Sequence, residues 1–149
     1  MRAHIEEAAR VCAMELVMAR VAPLCPARVI PLVRCLIDIN SDGMSVECAA
    51  RLLGVSRRTL LRNCSASHVV PPAELLAWCR LILAEHLLLH TNGTVEALAF
   101  ETGFPSGTAL RNALRRHADV SATRIRDGSG ATPVLDRFRA TIRNMRADT

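Results

Sequence analysis

The sequence contains no lysine and no tyrosine, and only four of its 149 residues are aromatic, three Phe and one Trp. Half of the residues are nevertheless apolar, so the core must be built from Leu, Val, Ile and Ala. These residues suit packed helices better than a sheet sandwich, whose strands favour aromatic and β-branched side chains. We therefore expect an all-α protein.

Long apolar runs and a signal peptide are missing as well. No stretch reaches the ~18 uninterrupted apolar residues of a membrane span. The N-terminus carries Glu6 and Glu7 where a signal peptide has a continuous apolar segment. The six cysteines lie between ten and sixteen residues apart, without CxxC or zinc-ligand spacing. We interpret them as buried thiols in a reducing compartment and predict a cytoplasmic protein without a membrane partner.

Signals for catalysis are also absent from the sequence. We find no Ser/His/Asp arrangement, phosphate-cradling loop, paired-carboxylate cleft or cofactor fingerprint. His86 and His90 lie one helical turn apart and would form half a metal site, but no third ligand is evident near them. We expect no enzyme activity, no catalytic residues, no cofactor and no metal site.

The positive charge comes from arginine alone. The chain has 19 basic residues against 14 acidic ones, a net charge of +5. Residues 54–68 hold three arginines and no acid, and residues 106–126 hold five arginines and one acid. A genome rich in G and C would also favour arginine codons, yet the arginine fork suits phosphates and guanine edges in either case. The two basic clusters indicate a polyanionic partner.

Residues 45–63, SVECAARLLGVSRRTLLRN, are typical of two short helices joined at a glycine. Ser45 and Ser56 are suited to cap the helices, and Gly54 to adopt the left-handed conformation between them. At about 100° per residue, Arg58 and Arg62 face away from the apolar side of the second helix. A DNA major-groove reader needs this arrangement, although a solvated helical hairpin has it too. The predicted inner face consists of Val46, Ala49, Ala50, Leu53, Leu60 and Cys64.

The same pattern returns 49 residues later. Thr94-Val95-Glu96 parallels Ser45-Val46-Glu47, and Leu110-Arg111-Asn112 parallels Leu61-Arg62-Asn63. We take this offset as constant throughout the repeat. Between the two copies, Pro71-Pro72 begins an apolar segment whose hydrophobic residues cover more than one face of a helix. The sequence thus predicts two helix-turn-helix units joined by one long buried helix.

The rest of the chain supplies flanking helices. Residues 4–21 and 133–146 have amphipathic spacing, and DGSGAT at 127–132 is typical of a flexible linker. A further helix should start near Ala27 or Arg28, with Pro31 in its first turn, and end at the turn Asn40-Ser41-Asp42-Gly43.

We divide the chain into an N-terminal helix and linker (1–26), a two-unit domain (27–126), and a linker with a basic amphipathic helix (127–149). Within the domain, the first helix-turn-helix covers 45–66, the joining helix 72–90 and the second helix-turn-helix 94–117.

These motifs closely resemble the AraC/XylS-type DNA-binding domain of bacterial transcription regulators, over about residues 28–126. The first motif stands here as AARLLGVSRRTLLRN and the second as TVEALAFETGF. The joining helix carries Trp78-Cys79-Arg80-Leu81. The domain tail, which in the family is usually Gly-Val-Ser-Pro followed by an arginine, reads Asp119-Val120-Ser121-Ala122 before Arg124 or Arg126. The resemblance implies a homeodomain-like fold whose two recognition helices enter successive major grooves on one face of the duplex.

The resemblance also implies which residues contact DNA. Base readout would fall to Arg57, Arg58, Leu61 and Arg62 in the first recognition helix, and to Gly107, Thr108, Arg111 and Asn112 in the second. We assign phosphate contacts to predicted N-caps and outward arginines: Ser45, Ser56, Thr94, Ser106, Arg115 and Arg116.

This chain departs from the family pattern at several positions. The second motif, which usually reads aromatic-x-Arg-x-Phe, is here Leu110-Arg111-Asn112-Ala113-Leu114. Asn112 stands where the second recognition helix usually has arginine, and Gly107 replaces a polar residue at the start of that helix. Cys64 replaces the usual Phe, as core filling or as a redox-sensitive thiol, and Ala122 replaces a Pro. We therefore expect the first unit to carry most of the sequence reading.

Two hypotheses for the function follow. The first is a sequence-specific DNA-binding transcription regulator, associated with the nucleoid in the cytoplasm. Its partners would be double-stranded DNA and RNA polymerase, with dimerisation through 3–21 or 133–146. The second is a degenerate helix-turn-helix protein that acts as a protein-interaction module or a non-specific DNA binder. The sensing domain usual in the family is not expected within residues 1–25, which are too few to enclose a small molecule.

Overall fold

The computed structural model describes residues 2–38 and 43–148, with side chains from residue 8 onward. These ranges contain nine α-helices and no strand. The helices are α1 (Arg2–Val21), α2 (Ile30–Ile37), α3 (Val46–Leu53), α4 (Arg57–Ala66), α5 (Pro72–His90), α6 (Val95–Glu101), α7 (Gly107–Ala118), α8 (Ala122–Asp127) and α9 (Pro133–Ala147). The predicted fold class is confirmed: an all-α protein with two helix-turn-helix units, a long central helix and further helices at either end.

Helix α5 lies at the centre of the molecule. Its apolar residues point in all directions, and twelve of its nineteen residues are buried. A helix that is hydrophobic all round must be covered on every side. Each of the other eight helices in the described ranges contacts α5. The two helix-turn-helix units, α3–α4 and α6–α7, therefore share one support.

Helix α2 begins later than the sequence suggested. Residues 26–30 form successive tight turns, in which the Val29 amide donates to the Pro26 carbonyl at 2.9 Å and the Ile30 amide to the Ala27 carbonyl at 3.3 Å. The helix then starts at Ile30, with Pro31 in its first turn as predicted. The predicted turn after it falls largely on residues 40–42, which lie outside the described residues; only Gly43 is described.

A short helix that the sequence analysis did not predict, α8, follows the second unit. Ser121 accepts a hydrogen bond from the Arg124 amide at 3.1 Å, and Ala122 occupies the first helical position. Proline is favoured at that position, which accounts for the Pro usual there in the family. Ser121 and the turn before it therefore set where α8 begins.

The side chain of Arg126 fastens α8 to the end of α5. It donates hydrogen bonds to the carbonyls of Leu88 and Thr91, each at 3.2 Å, and to the carbonyl of Gly93. A cation is favoured there because the last carbonyls of a helix lack intrahelical partners and carry partial negative charge. Of the two arginines that the resemblance offered for the domain tail, Arg126 makes these contacts.

A buried carboxyl group holds the start of α9 against α5. Glu85 is 1% exposed and accepts hydrogen bonds from the backbone amides of Val134, at 2.6 Å, and Leu135, at 3.2 Å. The apolar face of α9 is buried with it, including Phe138, which packs against Trp78 with ring centroids 5.5 Å apart. Helix α9 thus completes the same core as α5.

Glu85 should make the stability of the protein fall as the pH rises. Burial raises its pKa from the ordinary 4.5 to about 7, opposed by the hydrogen bonds from Val134 and Leu135. The folded state therefore holds a proton that the unfolded state releases. The resulting stabilisation is complete below pH 4.5 and is lost as the pH rises through 7. We expect a loss on the order of 2–3 kcal/mol in the free energy of unfolding between pH 5 and pH 8.

Urea unfolding across this pH range measures the effect in the wild type, in Glu85→Gln and in Glu74→Gln. Glutamine does not titrate, so Glu85→Gln should flatten the pH slope. Its NH2 group cannot accept a hydrogen bond, whereas the hydroxyl oxygen of a protonated carboxyl can, so the stability at pH 5 should also fall by about 1–3 kcal/mol. Glu74 is exposed on the same helix, and its replacement should leave the slope unchanged. Equal slopes in all three proteins would contradict the assignment.

Two left-handed residues at helix ends give a second prediction. Gly54 ends α3 at φ +69°, with open space where a Cβ would stand. Asp119 ends α7 at φ +50°, where the family pattern has glycine, and its charge meets the negative end of the helix dipole. We expect Gly54→Ala to lower and Asp119→Gly to raise the free energy of unfolding, each by about 1 kcal/mol. Chemical denaturation measures both, and a destabilised Asp119→Gly protein would refute the explanation.

Candidate nucleic-acid interface

The first unit is a helix-turn-helix fixed by two serine caps. The Ser45 hydroxyl accepts from the Cys48 amide at 3.1 Å, and the Ser56 hydroxyl accepts from the Thr59 amide at 3.0 Å. After Gly54, the Val55 amide closes the turn on the Ala50 carbonyl at 3.0 Å. Both predicted caps and the predicted left-handed glycine are confirmed. Helix α4 buries Leu60 and Cys64 against the core, so its other side faces solvent.

The second unit repeats this construction. The Thr94 hydroxyl accepts from the Ala97 amide and the Ser106 hydroxyl from the Ala109 amide, each at 3.1 Å. Gly103 is left-handed at φ +90°, and the Phe104 amide donates to the Ala99 carbonyl at 2.8 Å. The first helices of the two units and their turn hydrogen bonds thus correspond at the predicted offset of 49 residues.

The recognition helices correspond at an offset of 50 residues, which corrects the constant offset expected from the sequence. The N-cap of α4 is Ser56 and that of α7 is Ser106. Leu60 in α4 has its buried counterpart in Leu110 of α7, whereas Leu61, which the sequence repeat aligned with Leu110, is 51% exposed. The reason is one additional residue in the second turn. Structurally, Arg62 therefore corresponds to Asn112, and Leu61 to Arg111.

The solvent side of α4 presents the residues that were predicted to read bases. Arg57, Arg58, Leu61 and Arg62 are all exposed. Among the described residues, Arg57 pairs with Glu47, whereas Arg58 and Arg62 make no ion pair. These two guanidinium groups are available to a polyanion.

Helix α7 presents uncharged side chains at the positions that correspond to Arg58 and Arg62 of α4. Thr108 and Asn112, the counterparts of Arg58 and Arg62, are exposed. Arg111 pairs with Glu96 at 3.1 Å, while Arg115 and Arg116 are exposed and form no ion pair in the described part of the chain. The pKa of Glu96 is lowered, first by a hydrogen bond from its own backbone amide and then by Arg111.

Gly107, which was predicted to contact bases, is buried. A Cβ at this position would stand 2.7 Å from Oε1 of Glu96 and 3.2 Å from Nη1 of Arg111. The glycine thus makes room for the ion pair and offers no side chain to DNA.

The four predicted phosphate-binding hydroxyls sit at the starts of the helices. Ser45 is half-buried, and Ser56, Thr94 and Ser106 are exposed. Each accepts a backbone hydrogen bond as an N-cap. A hydroxyl that accepts keeps its own hydrogen to donate, although Ser56 also shares a hydrogen bond with the Thr59 hydroxyl at 2.9 Å.

Arg80 of α5 connects the two units. Its guanidinium donates to the carbonyl of Met44, just before α3, at 2.7 Å. A Cβ on Gly103, in the turn of the second unit, would stand 2.8 Å from its Nε. Burial lowers the pKa of Arg80 from its ordinary value. Arg80 belongs to the motif of the joining helix, but the motif does not reveal this role because the two groups that Arg80 contacts lie 36 and 23 residues away in the chain.

Among the residues with described side chains, the cysteines and histidines form no second site. Cys64 is fully buried, and burial raises its pKa to about 11, so core filling describes it better than redox sensing. Cys12 is exposed, contrary to the expectation for the set. The His86 and His90 rings lie 4.4 Å apart, and the described residues contain no group of three potential metal ligands. Within the same residues, no helix is long and apolar enough to cross a membrane.

Comparison with known proteins matches a helix-turn-helix domain family to residues 49–128. Among curated proteins, the HTH-type transcriptional activator RhaS of Enterobacter sp. (strain 638) is 33% identical over 106 residues, 71% of this chain and 38% of the relative. RhaS of Escherichia fergusonii is 32% identical over 106 residues, with the same coverage. RhaS of Salmonella arizonae is 31% identical over 96 residues, 64% of this chain and 34% of the relative.

The chain thus matches somewhat more than a third of the length of these curated relatives. No solved structure shows a significant match.

Proposed function

Because the chain belongs to the AraC/XylS-type family of helix-turn-helix DNA-binding domains of bacterial transcription regulators, we propose that it reads DNA sequence with α4 and α7 in two successive major grooves. The observation that carries this proposal is the pair of capped helix-turn-helix units on one buried helix. The nineteen residues of α5 span roughly 28 Å. This length is close to the ~34 Å repeat that separates successive major grooves on one face of DNA.

The first unit supplies most of the base readout in this proposal. Arg58 and Arg62 are exposed and unpaired in the described structure, and an arginine fork matches the two acceptors of guanine. In the second unit, Asn112 is suited to the N6 and N7 edge of adenine, and Arg115 and Arg116 to phosphates. The N-cap hydroxyls and the amides beside them would hold the backbone in register.

The relatives are named transcriptional activators, and an activator works by recruiting the transcription machinery. We therefore propose RNA polymerase as a second partner and the nucleoid in the cytoplasm as the place of action. Of the two segments considered for dimerisation, α9 buries its apolar face inside the chain. Helix α1 keeps Val11 45% and Leu16 49% exposed, so a contact between copies would form there.

Replacing Arg62 with alanine should weaken binding to the preferred site by about 1–3 kcal/mol and relax the preference at one base position. The preferred site is found by selection from a random duplex pool, and affinities are then measured by fluorescence anisotropy. Arg34→Ala, at an exposed position of α2, is the matched control and should have little effect. Unchanged specific affinity in Arg62→Ala would rule out Arg62 as a base reader.

A salt titration on random and selected duplexes tests the function as a whole. A sequence-specific regulator should show a steep dependence of log affinity on log salt together with a large preference for the selected site. A steep slope without preference would indicate the non-specific binder. Absence of both would indicate the interaction module and overturn the proposal.

A further inference from the structure

Each unit contains an ion pair between the first turn of its first helix and the recognition helix. Glu47 of α3 pairs with Arg57 of α4, and Glu96 of α6 pairs with Arg111 of α7. The two glutamates correspond at the offset of 49 residues that relates the first helices. The two arginines do not correspond.

Arg57 is the first residue of α4, whereas the first residue of α7 is Gly107. Arg111 lies one helical turn further along, and its guanidinium returns to the space above Gly107. A Cβ added to Gly107 would lie 2.7 Å from Glu96 Oε1 and 3.2 Å from Arg111 Nη1. The ion pair therefore occupies the space that a side chain at this position would need. The second unit thus rebuilds, with an arginine from another position, the contact that Arg57 makes in the first.

Stability does not explain this contact. The side chains of Arg111 and Glu96 are 49% and 65% exposed, and those of Arg57 and Glu47 are 62% and 56% exposed. Ion pairs in such exposed settings contribute little to folding. Their position is notable for another reason: both lie at the N-terminal end of a recognition helix, the part of such a helix that contacts base edges.

We infer that Glu96 is a specificity-determining positioning residue: it holds Arg111 at the start of α7 and keeps its guanidinium from phosphates of unrelated sequences. The inference rests on the proposed function. Without Glu96, Arg111 would extend into solvent and meet any backbone phosphate within its reach. With Glu96, that contact requires breaking the pair, so Arg111 adds little to the non-specific attraction that Arg115 and Arg116 of the same helix supply. Gly107 provides the room for this arrangement.

The test uses the full chain with Glu96→Gln, on the selected duplex and on random duplex. The variant should bind random duplex roughly threefold to tenfold more tightly and steepen its salt slope by about 0.9, the contribution of one further phosphate contact. The ratio of selected to random affinity should fall correspondingly. The thermal unfolding midpoint should change little, because the pair is exposed, and this separates positioning from a structural role.

Asp136→Asn is the matched charge control. Asp136 is also an exposed first-turn acid paired with an arginine, Arg139, at 3.4 Å, but on α9. The Asp136→Asn substitution should leave the salt slope and the ratio of selected to random affinity as in the wild type. If Asp136→Asn changes both as much as Glu96→Gln does, general electrostatics explains the effect and the inference is wrong.

Two further variants distinguish the positioning of Arg111 by Glu96 from direct repulsion between Glu96 and the DNA phosphates. Gly107→Ala keeps both charges but displaces the pair, so it should lower the affinity ratio in the same direction as Glu96→Gln. In an Arg111→Ala background, Glu96→Gln should have no further effect on the random-duplex slope. A full effect in that background would show that Glu96 acts without Arg111 and would overturn the inference. Failure of the proposed function would appear separately, as a wild type without sequence preference.

Discussion

The structure depends on the burial of one helix that has no polar side. Most of α5 is shielded from water, and its apolar groups point in every direction. Because such a helix cannot lie at a surface, the remaining helices are arranged around it, and each of the other eight in the described ranges contacts it. Both helix-turn-helix units therefore pack on the same helix, and their separation follows from the length of α5 rather than from a linker.

Polar contacts at the edge of this core then fix where the flanking pieces dock. Glu85 satisfies two amides at the start of α9, and Arg126 satisfies carbonyls at the end of α5. Arg80 extends from α5 to the segment before α3 and also lies next to Gly103 in the turn of the second unit. All three act on backbone groups that helix ends and turns leave without partners. These hydrogen bonds are directional, so they restrict the orientations of the helices more than apolar packing alone would.

The two recognition helices are built on the same plan but present different chemistry. Arg58 and Arg62 in α4 are replaced at the corresponding positions of α7 by Thr108 and Asn112. Arg111, the arginine nearest the start of α7, is paired with Glu96. At these positions, two uncharged side chains and a paired arginine attract a phosphate backbone less than the two unpaired guanidinium groups of α4 do. The unpaired arginines of α7, Arg115 and Arg116, lie further along the helix. The expected inequality of the two units thus gains a physical cause in the second unit itself.

Most of the helices and their caps follow from the sequence alone, because these depend on residues within a few positions of each other; α8 is the exception. Ser45, Gly54, Ser56, Thr94 and Ser106 act locally, and the apolar spacing of α5 identified it as a buried helix. The tertiary structure was needed to show how the two recognition helices correspond, since one additional residue in the turn at 102–106 shifts α7 by one position relative to the repeat expected from the sequence. It also decided the partners of Glu85, Arg80, Arg126 and Glu96. Their contacts join groups distant in the chain, and the choice among many possible partners follows from how the helices pack.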